Sequence, residues 1–237
     1  MILVQSCISP IPRKREPAMA TKCRILALVG AAVLLTTSAS ALGAEPPGDQ
    51  EPPLLLYLES NGKRIPIELD KPFGIEALSG GKTATLRAEP FRVFPFAGLS
   101  FRYPRGYSFE AKLENAGVSL WTLTGSDFVI MVQQYPGTRN HAAIRQTVTN
   151  GMIKAYGGAK TREVDTKLEL DGAVLHGRRL EFTLAETLLH QELFSFAAGE
   201  SSVVLLLQDT PDNNGKPSAD RIITEKMLRE SLRLPVK

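Results

Sequence analysis

The sequence predicts an α+β domain in which a mainly antiparallel sheet is accompanied by two principal helices. Segments 128–133 and 203–207 are apolar on both faces, which is typical of central strands in a sheet covered on both sides. Residues 168–170 and 180–184 alternate apolar and polar side chains, which indicates strands that lie nearer an edge or have one wetter face. Segments 142–156 and 218–234 repeat apolar residues at helical spacing, so the order is strands, helix, strands, helix.

Both predicted helices carry start signals, and the first also carries a stop signal. The first helix can be capped by Thr138 or Asn140 and stopped by the glycine pair 157–158. The second has Ser218 as its N-cap, and Asp220 suits the positive end of its dipole. The apolar residues expected to face the core are Ile144, Val148 and Met152 in the first helix and Ile223, Met227 and Leu228 in the second.

The composition is that of an ordinary globular protein, with 43% hydrophobic and 22% charged residues in a chain of 237. The formal charge is +3, but residues 1–41 hold five basic groups and one acid, which leaves 23 basic and 24 acidic groups in the remainder. Binding of nucleic acid through a basic surface is therefore not supported. Both cysteines, Cys7 and Cys23, also lie in residues 1–41, so thiol chemistry is not expected in the folded domain.

Residues 1–41 are predicted to be a secretory signal peptide. Lys22 and Arg24 precede an apolar run at 25–35, and Ala39-Ser40-Ala41 places small residues where a signal peptidase cleaves. The protein is accordingly expected to be exported, to a bacterial periplasm or to the medium.

Two further interpretations concern the leader. A membrane anchor is the alternative to cleavage, but the apolar run is about half of the roughly 20 residues that a spanning helix needs. Met19 would be a normal start for such a signal, so residues 1–18 are interpreted as an extension that is not translated.

The rest of the chain divides into three regions. Residues 42–53 are rich in Pro, Gly and acidic side chains and are predicted to be a flexible linker. Residues 54–98 are predicted to be a β-rich extension, with a hairpin at Asn61-Gly62 and a turn at 79–81. Residues 99–237 form the main domain.

The main domain opens with the segment Phe101-Arg102-Tyr103-Pro104-Arg105-Gly106-Tyr107. This segment resembles the F-x-Y-P-x-G-W opening of the PsbP-like, or Mog-type, family, whose exported bacterial members include DcrB and LpqN. Tyr107 stands where the family usually has Trp. The resemblance continues through the helix at 142–156, the glycine turn at 171–172 and Ser231-Leu232 in the closing helix, over residues 99–234. It implies an α/β/α sandwich and a binding or assembly role without catalysis.

No catalytic, metal or cofactor site is predicted. The histidines His141, His176 and His190 form no H-x-x-x-H or H-E-x-x-H pair. His190 and Glu192 would share one face of a strand, but the sequence offers no third ligand beside them. We therefore interpret them as an ordinary surface pair.

Two loop segments invite binding hypotheses that the spacing does not support. Aligning Gly215 with the glycine of a calcium loop places Thr210 and Arg221 at positions that require acids, so residues 209–215 are interpreted as a turn. Gly80-Gly81-Lys82 lacks the upstream glycine of a phosphate-binding loop.

Three other features are also assigned structural roles. Ser108 and Ser119 each lie two residues after a glycine but lack the second glycine of a nucleophile elbow. Arg178 and Arg179 are adjacent strand residues that face opposite ways, so they form no anion clamp. The aromatic stretch 91–109 is expected to pack in the core and not to stack on nucleic-acid bases.

The sequence thus favours an exported, non-catalytic module that binds a protein or an envelope component. A carrier of a lipid or metabolite, with a pocket between the sheet and the helix at 142–156, is the first alternative. A hydrolase with an unrecognised site, which would depend on His190 or Asp209, is the second.

Overall fold

The structure is a computed structural model that describes residues 48–60, 62–67, 84–113, 117–137, 140–156 and 161–234. All of them lie in one compact unit, Ala31–Lys237. The expected signal peptide, the first half of the linker (42–47), the turn at 79–81 and the glycine stop at 157–158 lie outside the described residues.

The described residues form twelve strands and two helices. In chain order these are β1 (Leu56–Ser60), β2 (Lys63–Ile67), β3 (Thr85–Ala88), β4 (Phe91–Phe94), β5 (Phe101–Pro104), β6 (Ser108–Leu113), β7 (Ser119–Thr124), β8 (Phe128–Pro136), α1 (His141–Ala155), β9 (Thr161–Leu170), β10 (Ala173–Leu184), β11 (Thr187–Ala198), β12 (Ser201–Asp209) and α2 (Ala219–Ser231).

Seven strands form the main sheet, in the order β6-β7-β8-β12-β11-β10-β9, and every neighbouring pair is antiparallel. The prediction of a central strand at 203–207 is confirmed, because β12 lies in the middle of the sheet and these residues are buried on both faces. The prediction of strands nearer the edge is also confirmed: β9 is an edge strand and β10 is its neighbour.

Aromatic side chains fill the space above one face of this sheet. Strands β4 and β5 pair with each other in a separate two-stranded sheet, and the rings of Phe94 and Phe101 stack with centroids 4.7 Å apart. Phe94 meets Trp121 of β7 edge to face, with ring centroids at 5.9 Å. All three rings are fully buried, so the expectation that this stretch packs in the core is confirmed.

The two helices begin where the sequence predicts. The side chain of Asn140 accepts hydrogen bonds from two backbone N–H groups of the first turn of α1, and the side chain of Ser218 accepts one from the backbone N–H of Arg221 in α2. Their buried residues differ from the predicted stripes, since Thr149 and Met152 are buried in α1 and Thr224 and Leu228 in α2. Within the described residues, neither helix is long and apolar enough to cross a membrane.

The predicted α/β/α sandwich with two principal helices is wrong, because the described residues are mostly β. One face of the main sheet is covered by a mixed layer of β4, β5 and α2, which share one hydrophobic core. Helix α1 contacts mainly β11 on the other face. Each face of the main sheet therefore meets a single helix, and neither carries a layer of helices.

The N-terminal strands form their own three-stranded sheet, in the order β2-β1-β3. The hairpin predicted between β1 and β2 is confirmed, with Gly62 at φ 72°, a conformation that glycine adopts without strain. Arg64 lies over the ring of Tyr57, 4.7 Å from its centroid.

The tight packing of the seven-stranded main sheet can be tested at Gly177 of β10. A Cβ there would collide with the carbonyl oxygen of Leu193 and lie 2.6 Å from the ring of Phe194. We expect Gly177→Ala to lower the free energy of unfolding by about 1–3 kcal/mol, measured by urea denaturation. The matched control is Gly106→Ala, where nothing lies within 4 Å of the added atom. Equal stability of the two variants would contradict the close approach.

Candidate functional site

Some of the polar residues named in the sequence analysis come together where β12 ends and α2 begins. His190 of β11 lies opposite Asp209 of β12 and opposite Glu181 of β10. Two residues farther along β11, Glu192 lies opposite Arg179 of β10. Because side chains alternate across a strand, these residues share the face on which α2 packs.

Arg221, in the first turn of α2, joins these groups to the helix. Its guanidinium donates to Glu192 at 2.8 Å and to Glu225 at 3.1 Å, and it lies 3.7 Å from Asp209. The Arg221 side chain is only 12% exposed, and Glu192 and Asp209 are buried. Although burial opposes it, the Glu192 and Glu225 carboxylates raise the pKa of Arg221. Arg221 therefore stays charged and pins α2 to the sheet.

The segment after β12 is a turn, as the sequence interpretation has it. The carboxylate of Asp212 accepts hydrogen bonds from the backbone N–H groups of Asn214 and Lys216, at 2.8 and 2.9 Å. Gly215 adopts φ 75°, which closes the turn. Asp209 points instead into the protein, where it accepts a hydrogen bond from the Ser218 backbone at 3.3 Å.

The interpretation of His190 and Glu192 as a surface pair is wrong, because Glu192 is buried and its partner is Arg221. A second cation, Arg179, lies 3.8 Å from the same carboxylate. Within the part of the chain that the structure describes, no group of three side chains is placed to hold a metal ion. The cluster has the chemistry of a structural ion-pair network, in which arginines neutralise the buried acids.

The other candidate residues are dispersed. Ser108 donates to a backbone carbonyl of β7, and Ser119 is buried in β7 at the opposite end of its pairing with β6. His141 and His176 lie at the start of α1 and in β10. The prediction that the two adjacent arginines diverge is confirmed, since Arg178 pairs with Glu163 and Asp165, whereas Arg179 pairs with Glu181 and Glu192. Gly80-Gly81-Lys82 lies outside the described residues.

Side chains fill the space between the sheet and α1, where a ligand pocket was hypothesised. The Gln191 amide donates to the Tyr156 hydroxyl at 3.0 Å and to the Gln208 side chain at 2.6 Å. Met152 is fully buried beside them, and Tyr156 stacks on Phe182 with ring centroids 4.3 Å apart. A shallow groove of about 340 Å³ lies elsewhere, at the N-terminal sheet, between β1, β2 and Phe91.

Three further polar contacts fix the orientation of α2. The carboxylate of Asp220 accepts hydrogen bonds from the backbone N–H groups of Ser126 and Asp127, at 2.6 and 3.1 Å. The hydroxyls of Tyr107 and Thr224 are hydrogen-bonded at 2.7 Å. Burial raises the pKa of Tyr107, so this phenol stays protonated at neutral pH.

As a consequence, α2 turns Arg221 and Thr224 inward together with Leu228, and it turns two isoleucines outward. Ile222 and Ile223 are 62% and 52% exposed, in contrast to the predicted burial of Ile223. We call the surface formed by Ile222, Ile223, Lys226 and Glu230 the isoleucine face. It borders a shallow depression of about 430 Å³ lined by α2 alone. The sequence holds a signal for the isoleucine face. Arg221 and Thr224 each lie one or two residues from the isoleucines, and a buried arginine or threonine needs polar partners, so these two residues face the polar groups of the sheet and the isoleucines do not.

Comparisons with known proteins find similarity among solved structures alone. No family model matches the chain, and no curated protein matches it. Among solved structures, LpqN, described as involved in cell envelope biogenesis of Mycobacterium tuberculosis, is similar with a TM-score of 0.37 and 13% sequence identity. The match covers 58% of this chain and 83% of that chain. It assigns no residue and no activity to this chain.

Replacing Arg221 tests whether the buried ion pairs hold α2. We expect Arg221→Met to lower the free energy of unfolding by about 3–5 kcal/mol, because it leaves Asp209 buried without a counter-charge and Glu192 with only the more distant Arg179. The control is Arg229→Met, whose pair with Glu225 is half exposed and contributes less than about 1 kcal/mol. Urea denaturation measures both, and equal losses would show that burial of Arg221 is unimportant.

His190 gives the cluster a pH dependence. Burial lowers the pKa of His190 below its ordinary value of 6.5, more than Glu181 and Asp209 offset. The unfolded chain therefore binds the proton more readily, so this residue makes stability fall as the pH drops below about 6.5. We expect His190→Gln to reduce the loss of stability between about pH 7 and pH 5, measured by thermal unfolding. His176→Gln, on an exposed residue of β10, should leave that loss unchanged.

Proposed function

We propose that this chain is an exported, non-catalytic module that binds a protein of the cell envelope through the isoleucine face of α2. The observation that carries the proposal is the orientation of that helix. A surface helix normally turns its apolar residues to the core. In α2, Arg221 and Thr224 occupy inward positions, and two adjacent isoleucines face the solvent.

The contacts that hold α2 give this exposure a physical meaning. Rotating the helix to bury Ile223 would break the Arg221 ion pairs and the Tyr107–Thr224 hydrogen bond. The isoleucines are thus held in the solvent by polar contacts behind them. Complete burial of one isoleucine by a partner contributes roughly 1.5–3 kcal/mol, so two of them would form an effective anchor.

The same contacts support a role without catalysis. His190, Glu192, Asp209 and Arg221 lie together beneath α2, where the two acids and Arg221 neutralise one another. The proposal includes export, which rests on the leader at residues 1–41. It also includes distant kinship with the PsbP-like family, which rests on the opening segment with buried Phe101, Tyr103 and Tyr107.

Binding is tested by replacing the isoleucines with a polar residue of good helix propensity. The full chain with a C-terminal tag is crosslinked in its native envelope, and captured proteins are quantified by mass spectrometry against a tag-only control. We expect Ile222→Gln/Ile223→Gln to weaken capture of a specific partner by about 100-fold, because each buried anchor contributes more than about 1 kcal/mol.

The matched control is Ile153→Gln, which removes a 39% exposed isoleucine from α1. This variant should capture the partner as the unmodified chain does, and all three proteins should unfold at the same urea concentration. Loss of capture by the α1 variant as well, or retention by the α2 variant, would overturn the assignment of the isoleucine face.

A further inference from the structure

The segment just before β1 is built into the aromatic layer of the domain. The indole N–H of Trp121, which is fully buried, donates to the carbonyl oxygen of Gly48 at 3.3 Å. A Cβ on Gly48 would lie 2.8 Å from the ring of Phe96, which stacks parallel to Trp121 with centroids 5.5 Å apart. Only glycine lets the chain approach the rings this closely, so Gly48 is specified by the site and not by a need for flexibility.

Arg92 of β4 binds the same segment a few residues later. Its guanidinium lies 3.2 Å from the Glu51 carboxylate and donates to the carbonyl oxygen of Pro52. The Arg92 side chain is 14% exposed, and a largely buried guanidinium needs a counter-charge. Glu51 supplies it. Trp121 and Arg92 together bind two backbone carbonyls and one acidic side chain, which is a pattern typical of peptide recognition.

The site has unused hydrogen-bonding capacity beside these contacts. Within the described part of the chain, Arg92 Nε and the Tyr103 hydroxyl are buried without a hydrogen-bond partner. Tyr103 lies directly opposite Arg92 in the β4–β5 pair. Burial raises the pKa of Tyr103 to about 12, so its hydroxyl remains a donor at neutral pH. Both groups are donors, which favours an occupant that brings acceptor oxygens.

We propose that Arg92, Phe96, Tyr103 and Trp121 form a binding site for acidic, proline-containing peptides, which the chain fills in cis with its own residues 48–53. This site lies on different elements from α2 and is independent of the isoleucine face. The natural occupant reads Gly-Asp-Gln-Glu-Pro-Pro. Proline-rich segments lose little conformational entropy on binding and dock against aromatic side chains.

The covalent link explains why the site is occupied by its own chain. A short tether gives a segment an effective concentration of about millimolar. A peptide in trans must exceed that concentration or meet a chain whose own segment has been weakened. The site is therefore closed to weak peptides in the intact protein and opens when residues 48–53 are displaced.

Tryptophan fluorescence tests this directly, because Trp121 is the single tryptophan of the chain. In the full chain, Gly48→Val/Glu51→Lys should shift the emission to longer wavelength and increase quenching by acrylamide, because the segment that contacts the indole is displaced. Glu200→Ala, at an exposed acid in the turn between β11 and β12, should leave both unchanged. Glu51→Gln, which removes only the charge, serves as a milder second variant if circular dichroism finds the double variant unfolded.

The trans experiment adds a synthetic hexapeptide with the sequence of residues 48–53. At about millimolar concentration the peptide should reverse the fluorescence change of the Gly48→Val/Glu51→Lys variant, and the reversal should saturate as the peptide concentration rises. The fluorescence of the unmodified protein should not change. A peptide with lysine in place of the glutamate should have no effect. Unchanged fluorescence in both Glu51 variants, no response to the natural peptide, or equal responses to the two peptides would overturn the proposal.

Discussion

The buried guanidinium of Arg221 is the constraint from which the orientation of α2 follows. An arginine in the first turn lies near the positive end of the helix dipole and in a largely dry environment, so it needs carboxylates nearby. Glu192 and Asp209, on two neighbouring strands, supply them from below, and Glu225 supplies one from the helix itself. With these pairs made, the helix can present only one side to the sheet, and the isoleucines are left in the solvent.

A second buried polar group, the indole N–H of Trp121, constrains the aromatic layer on the same face of the main sheet. Strands β4 and β5 bring Phe94 and Phe101 onto the main sheet, where Trp121 receives them. A buried indole must place its N–H, and the acceptor here is the Gly48 carbonyl, 73 residues earlier in the chain. The domain therefore begins before its first strand, since residues from the region predicted as a linker take part in the packing.

The candidate site could be predicted from the sequence only in part. Strand alternation correctly places His190 and Glu192 on one face, because that depends on two residues of one strand. It could not identify Arg221 as the partner of Glu192, because that contact joins a strand to a helix 29 residues later. In the sequence, Arg221 stands out only as a cation at a position where a calcium loop needs an acid, whereas in the structure its charge neutralises the neighbouring acids.

Local patterns determined the elements of this protein by themselves: the central strand β12, the edge position of β9, and the starts of both helices at Asn140 and Ser218. Each depends on side-chain periodicity or on a capping hydrogen bond between residues close in the chain. Only the tertiary structure decided which layers cover the sheet and which side of α2 faces it. Those outcomes depend on pairings between distant segments, such as Arg221 with Glu192 and Trp121 with Gly48, in which burial of a polar group outweighs the apolar pattern of the sequence.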